Sequence, residues 1–333
     1  MKKILFFILA LCCTAVAKAQ GTDQFSAILQ HGDEVSVYEG ATGFQQAYAA
    51  AVDGDVIILS QGTFKPVSKI EKSLTILGAG FEQNDSTHTA ISAFDGSVSL
   101  GKSDGVLEYL HIEGVKIMGT IYVESELKNT HILKSFITGD VRLRKNIETM
   151  TLKQCRVSGS VYGDGNDIEA RGLYVANCYL GGNVRNFSYN SSVNVDHCYI
   201  VQYSNGDKAQ ILLTNTIIGG TRYTTATGVP NYATVKNCIV FSNAGGFPSS
   251  ALVETYHRVD LATIFADAEN TDYSETRTFE LKDPETYKGT DGTPIGLSGG
   301  AGWNKVPSRP FVSNLSATPS GTNLNVTYNT SVK

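Results

Sequence analysis

The feature that most limits what this chain can become is a short phrase written over and over. VANCYLGG at 175–182 returns as VDHCYIVQ at 195–202 and as VKNCIVFS at 235–242. With Cys178 as reference, one column holds Val115, Ser135, Cys155, Cys178, Cys198, Thr216 and Cys238, about twenty residues apart. Three positions earlier every copy is aliphatic (Ile112, Ile132, Leu152, Val175, Val195, Leu213, Val235), and two positions later it is aliphatic again (Ile117, Ile137, Val157, Leu180, Ile200, Ile218, Val240). A fixed period of this size describes a stack of like units, each burying the face that its neighbour exposes.

Within a copy the apolar positions alternate, as in Leu173 and Val175, then Cys178 and Leu180, then Val184 beyond Gly182. Alternation is the mark of a strand with one buried face. The three-residue step from Val175 to Cys178 breaks that phase and demands a corner, occupied by Asn177, His197, Asn215 or Asn237. Asparagine tolerates the left-handed backbone region and bonds to its own backbone, which suits it to a tight bend. Glycine follows at Gly119, Gly139, Gly159, Gly182 and Gly220, where a second turn is expected. Strand, corner, strand, glycine turn and strand make one coil of an all-β solenoid. A propeller blade needs about twice this period, and the helical return of a leucine-rich repeat is missing.

Three phrases then carry a family resemblance: GFQQAYAAAVDGDVIILSQGTF (43–64), LTILGAG (74–80) and the repeated Asn-Cys corners. The chain resembles right-handed parallel β-helix proteins of the pectate-lyase-like superfamily over residues 25 to 303. The first phrase is similar to the family's entry, a short helix with Phe44, Tyr48 and Ala51 on one face that caps the coil before the strand at 56–59. Thr42 and Gln45 are placed for a capping box on it. DGTPIGLSGG (291–300) resembles the closing rung of secreted β-helix proteins from Bacteroidetes-type bacteria. The fold implied is a right-handed β-helix with an N-terminal capping helix and a C-terminal β tail.

The chain opens MKKILFFILALCCTAVAKAQ, two lysines and an apolar run before Ala17-Lys18-Ala19, which reads as a secretory leader cleaved near Ala19. The expected product is secreted, to the periplasm or the cell surface. Removing Lys2, Lys3 and Lys18 makes a chain of net charge −5 more acidic. No basic stripe remains to displace counterions from phosphates, so a nucleic-acid partner is not expected. No later apolar stretch reaches the roughly 20 residues of a membrane span. A monomer is expected.

Cys155, Cys178, Cys198 and Cys238 lack the Cys-x-x-Cys spacing of a metal site, so no metal is assigned to them. Stacked in parallel they point the same way, and buried free thiols are expected rather than disulfides. His111 and His131 align one rung apart just before inward aliphatic residues, and should point outward; His197 takes a corner.

In the strand after the repeat glycine, the outward positions read Thr120, Tyr122, Glu124, then Asp140, Arg142, Arg144, then Ser160, Tyr162, Asp164, then Asn183, Arg185, Phe187. The middle column alternates tyrosine and arginine. Rings and guanidinium groups on a flat sheet can stack on sugars and pair with uronate or sulfate groups. Tyr122, Glu124, Asp140, Arg142, Arg144, Tyr162, Asp164 and Arg185 are therefore the ligand-binding candidates, with a polysaccharide or surface glycan as partner. The competing reading is a surface ladder of cation–π and charge pairs. Asp164, Asp167 and Glu169 are the acids that a calcium ion could use, and no other cofactor is expected.

The motifs of polygalacturonases, pectin esterases and pectate lyases are missing, so no catalytic residue is assigned. Three function classes follow: a non-catalytic glycan-interacting β-helix protein in the lead, then a polysaccharide lyase or hydrolase acting on acidic glycans, then a structural or adhesive surface element. Beyond the coil, 304–310 reads as a linker. Residues 311–333 read as two strands around Pro319-Ser320-Gly321, a β tail or the stub of an immunoglobulin-like module.

Overall fold

The computed structural model describes residues 25–87, 89–165, 167–201, 209–219, 233–241, 252–267 and 272–308, and the backbone of 310–320 and 323–332. The expected leader through Ala19 and the repeat glycine Gly220 lie outside the described residues. The chain winds into a right-handed parallel β-helix of about nine turns. Its strands stack into a long sheet of twelve, a middle sheet of ten and a short sheet of five. Among the described residues the only α-helix is Gly43–Ala50, and no helix is long and apolar enough to cross a membrane.

The repeat columns behave as one-rung steps. Ile132 pairs in register with Ile112 below and Leu152 above, and Leu152 in turn with Val175. Both aliphatic columns are buried, and they belong to one continuous interior. The entry helix lays Phe44 and Ala47 on the first rung, with Phe44 against Phe94 at 4.6 Å. Its expected capping box does not form. Thr42 is the N-cap but makes no side-chain cap bond; Gln45 reaches Pro66 O instead, at 2.9 Å. A hairpin that the repeat could not announce, Ser26–His31 with Glu34–Glu39, pairs antiparallel on the first rung strand and closes that edge of the long sheet.

The corners are left-handed, as expected: φ is 47° at Asn177, 49° at His197, 50° at Asn215 and 51° at Asn237. The same conformation continues upstream through Gln154, Lys134 and Gly114. The repeat glycines serve a different purpose from the one expected. Gly119, Gly139, Gly159 and Gly182 have no positive φ, but a Cβ on Gly139, Gly159 or Gly182 would sit 2.8–2.9 Å from the backbone of the glycine one rung below. They are an uninterrupted stack where two backbones approach too closely for any side chain.

The cysteine column has a reason beyond packing. At four of the corners, the N–H of the column residue turns away from the backbone ladder and is taken by the side chain above it. Val115 N–H donates to Ser135 Oγ, Cys155 N–H to Cys178 Sγ, Cys178 N–H to Cys198 Sγ and Cys198 N–H to Thr216 Oγ1, at 3.2–3.4 Å. Each of these side chains also donates to the carbonyl two residues before it. Serine, cysteine and threonine are interchangeable there because all are small and can both accept and donate. The four cysteines are free and fully buried, and burial pushes the thiols of Cys155 and Cys178 well up and that of Cys238 to about 12.

Residues 291–300 do not close a rung. After the last coil strands, Leu252–Val253 and Tyr256–Val259, the chain turns back and runs along the outside of the corner column. Asn237 Nδ2 donates to Lys288 O, Thr290 N–H to Asn215 Oδ1, Asn177 Nδ2 to Gly299 O, Gln154 Nε2 to Gly302 O and Lys134 Nζ to Ser308 Oγ, all at 2.7–2.9 Å. His197 Nε2 lies 3.0 Å from Thr293 Oγ1, so this corner histidine is buried beneath the strap rather than exposed. Two strap glycines leave no room for a side chain: a Cβ on Gly299 would strike Pro294 O within the strap at 1.7 Å and His197 at 2.5 Å, and one on Gly296 would meet Ile217 at 2.5 Å.

Under the strap lies a second apolar layer. The outer faces of Tyr179, Tyr199, Ile217 and Ile239 on the middle sheet pack against Leu261, Ile264, Phe265, Phe279, Leu281, Ile295 and Leu297. The segment read as a linker also lies on the coil: Ser308 N–H donates to Glu113 Oε1 at 2.6 Å, and Lys305 pairs with Glu82. Beyond it, Pro310–Ser320 and Asn323–Val332 form an antiparallel hairpin, the expected β tail.

Candidate functional site

The short sheet is built from Val98–Leu100, Ile121–Val123, Val141–Leu143, Val161–Gly163 and Val184–Arg185. Its inward residues fill the coil, so its outward residues form three parallel columns by register. The central one is Ser99, Tyr122, Arg142, Tyr162, Arg185, as the alternation required. Beside it stand Glu124, Arg144 and Asp164. Phe187, expected on this face, is instead buried, 1% exposed, because the strand ends at Arg185 and the chain bends inward.

The third column is structural. Thr120 N–H donates to Ser97 Oγ, Asp140 N–H to Thr120 Oγ1, Ser160 N–H to Asp140 Oδ1 and Asn183 N–H to Ser160 Oγ, at 2.7–3.2 Å. Asp140 thus holds a backbone donor with Oδ1 and is one step of a ladder.

The other two columns interlock. Arg142 Nη2 donates to Asp164 Oδ1 at 2.7 Å, and Arg144 Nη1 to Glu124 Oε1 at 2.6 Å with Nε 3.5 Å from Asp164 Oδ2. The hydrogen bond from Arg142 holds the Asp164 carboxyl below its ordinary value and raises the arginine in return. Arg144 lies over the Tyr122 ring at 4.2 Å, while Arg142 and Arg185 flank Tyr162 at 5.7 and 5.4 Å. Burial raises the Tyr162 phenol above its usual range.

Arg185 differs from the other two arginines. It has no carboxylate partner among the described residues, and its Nε, like that of Arg142, is buried without a hydrogen-bond acceptor. It ends the column beside a tyrosine face, with a planar fork of donors to offer.

The loop acids do not converge. Asp164 is taken by Arg142 and Arg144, and Glu169 by Arg171 and by Asn190 Nδ2. Among the described residues no three His, Cys, Asp or Glu side chains are grouped to hold a metal ion. His111 and His131 do stack outward on the long sheet, with ring centres 6.3 Å apart, and burial lowers the His131 pKa. Sequence reasoning missed the partner of His111: Glu113, whose side chain it meets at 3.1 Å and which belongs to the strap's anchorage. No family model matches the chain, and comparisons with curated proteins and with solved structures give no match.

Proposed function

We propose that this chain is an exported, non-catalytic β-helix protein of the pectate-lyase-like kind that holds an acidic glycan along the short sheet. The observation that carries the proposal is Arg185, a guanidinium without a carboxylate partner among the described residues, set against the face of Tyr162. A uronate or sulfate group can take the fork of Arg185 while a neighbouring sugar ring rests on Tyr162. Arg142 and Arg144 are neutralised by Asp164 and Glu124, so they shape the face and hold its rings rather than supply free charge. Chemistry on a uronide needs a base and a cation close together to stabilise the developing charge. The acids here are spent on arginines, which supports binding over cleavage.

The pairing of Arg142 and Arg144 also favours a second reading, in which the columns only stabilise the sheet. Titration calorimetry with polygalacturonate and chondroitin sulfate oligosaccharides separates the two. Loss of a charge-assisted bond worth about 1.5–3 kcal/mol means that Arg185→Ala should weaken binding by roughly ten- to a hundredfold without lowering the melting temperature. Equal binding by Arg185→Ala and the parent protein, or no binding of either oligosaccharide, would leave the ladder as the sole role of this face.

A further inference from the structure

On the opposite side of the coil, where the strap passes the loop of the second rung, lies a cleft of about 190 Å³. It is lined by Glu82, Asn84, Thr87, Thr89, Trp303, Asn304, Lys305 and Val306. That is room for roughly six waters, or for one small ring. We infer that this cleft binds a single neutral sugar residue, with Trp303 as its apolar wall and Lys305, Thr87, Thr89 and Asn304 as its polar contacts.

Both walls are fixed before anything enters. Asn84 Oδ1 accepts from Ser86 N–H at 3.0 Å, and Asn84 and Thr89 exchange backbone bonds at 3.1 Å, which closes the loop on itself. Across the cleft, Asn304 Oδ1 accepts from Val306 N–H at 3.0 Å. A preformed cleft spares a ligand the cost of ordering its site.

The charges at the floor cancel. Glu82 is buried and accepts from both Lys305 Nζ and the Tyr273 hydroxyl. Lys305 Nζ also donates to Glu275 O at 2.7 Å, which uses two of its three protons. An ammonium ligand would face a lysine, and a carboxylate ligand would face a carboxylate that is already satisfied. What the cleft offers is one spare ammonium proton, two threonine hydroxyls that are bonded to each other at 3.0 Å but can still accept, the NH2 groups of two side-chain amides whose oxygens are already used, and an indole whose N–H is buried without a partner. A pyranose matches that set, with a C–H face for the indole and hydroxyls at its edge. This site is separate from the short sheet, so either proposal can fail alone.

Trp303 is the only tryptophan of the chain, so its emission reports this cleft alone. The probes are methyl glycosides of glucose, galactose, mannose and N-acetylglucosamine, with glucuronate and glucosamine as charged counterparts. The expected result is a saturable emission change at millimolar concentration with at least one neutral glycoside, at least fivefold weaker with the charged sugars. Thr89→Val keeps the side-chain shape and removes one hydroxyl. It should weaken that binding severalfold; because it also removes the 3.0 Å bond to the Thr87 hydroxyl, the melting temperature should fall slightly, and binding is compared well below it. Saturation-transfer NMR on the same probes detects a bound sugar whether or not emission responds. No signal by either method with any neutral glycoside, a preference for a charged sugar, or full binding by Thr89→Val would overturn the assignment.

Discussion

The interior of the coil and the layer beneath the strap bury the same kinds of side chain, yet only the first obeys a period. Inside, each rung repeats the last: Ile112, Ile132, Leu152 and Val175 are successive copies of one contact. Outside, the contacts follow no period. The corner column meets the strap through three asparagines, a histidine, a glutamine and a lysine, each bonded to a different group. Stacking neighbours build the coil, so its stability accrues rung by rung. The strap closes a long loop against a finished surface, so it has nothing to dock on until the coil exists. The difference makes the strap the layer expected to open first.

The largest expected effect tests that order. Leu152→Ala empties a fully buried site in the middle of the coil and should cost about 2–5 kcal/mol of global stability. Ile295→Ala empties an equally buried site under the strap. Its loss should appear as faster hydrogen exchange over residues 285–308, with the amides of the long sheet still protected. Equal loss of protection in both regions would mean that the two layers unfold as one.

Acid should release the far end of the strap. Burial by itself would raise the carboxyl of Glu113, but bonds from His111 and Ser308 and the charge of Lys134 outweigh it and lower the pKa from 4.5 to about 2. A lowered pKa contributes stability that is complete above the unfolded value of 4.5 and is lost as the pH falls toward 2. The shift corresponds to about 3 kcal/mol. Stability measured against pH should therefore fall over that window, and Glu113→Gln should be less stable at neutral pH with a flatter profile. An unchanged slope in Glu113→Gln would assign the acid sensitivity to other carboxyls.

What the sequence disclosed follows the same division. The coil was legible because its constraint recurs, and Asn177, Asn215 and Asn237 were legible as corners because asparagine favours the left-handed region. Lys134 and Gln154 hold that conformation too, but neither residue type announces it; each reaches the strap with its side chain. The strap itself obeys no alternation. One signal for it was present: Cys178-Tyr179-Leu180, Cys198-Tyr199-Ile200 and Thr216-Ile217-Ile218 are apolar on both faces, which a strand with a solvated outer face would not be. On the short sheet, alternation placed Tyr122, Arg142, Tyr162 and Arg185 correctly, while Phe187 failed because the strand stops two residues before it. That Arg185, unlike Arg142 and Arg144, meets no carboxylate among the described residues depends on where Asp164 and Glu124 reach, which register fixes only once the rungs are stacked.

The smallest effect comes from two adjacent residues that serve the two layers separately. Asn177 sends its amide to Leu297 O and Gly299 O, outside the coil; Cys178 keeps its sulfur inside, accepting from Cys155 N–H of the previous rung's corner. Asn177→Gly preserves the left-handed φ of 47° and removes only the strap bonds. It should cost about 1–2 kcal/mol, seen as local strap opening. Cys178→Ser keeps an acceptor and a donor in place, as Ser135 does in its own rung, so it should cost about 1 kcal/mol or less. Cys178→Ala leaves the buried Cys155 N–H without an acceptor and should cost more than serine does, by about 1–3 kcal/mol. If alanine is tolerated as well as serine, the column is selected for size alone and its hydrogen-bond ladder has no energetic role. If alanine costs more, the repeated cysteine is chosen because it packs like a small hydrophobe and still accepts the one N–H that these corners turn away from the sheet.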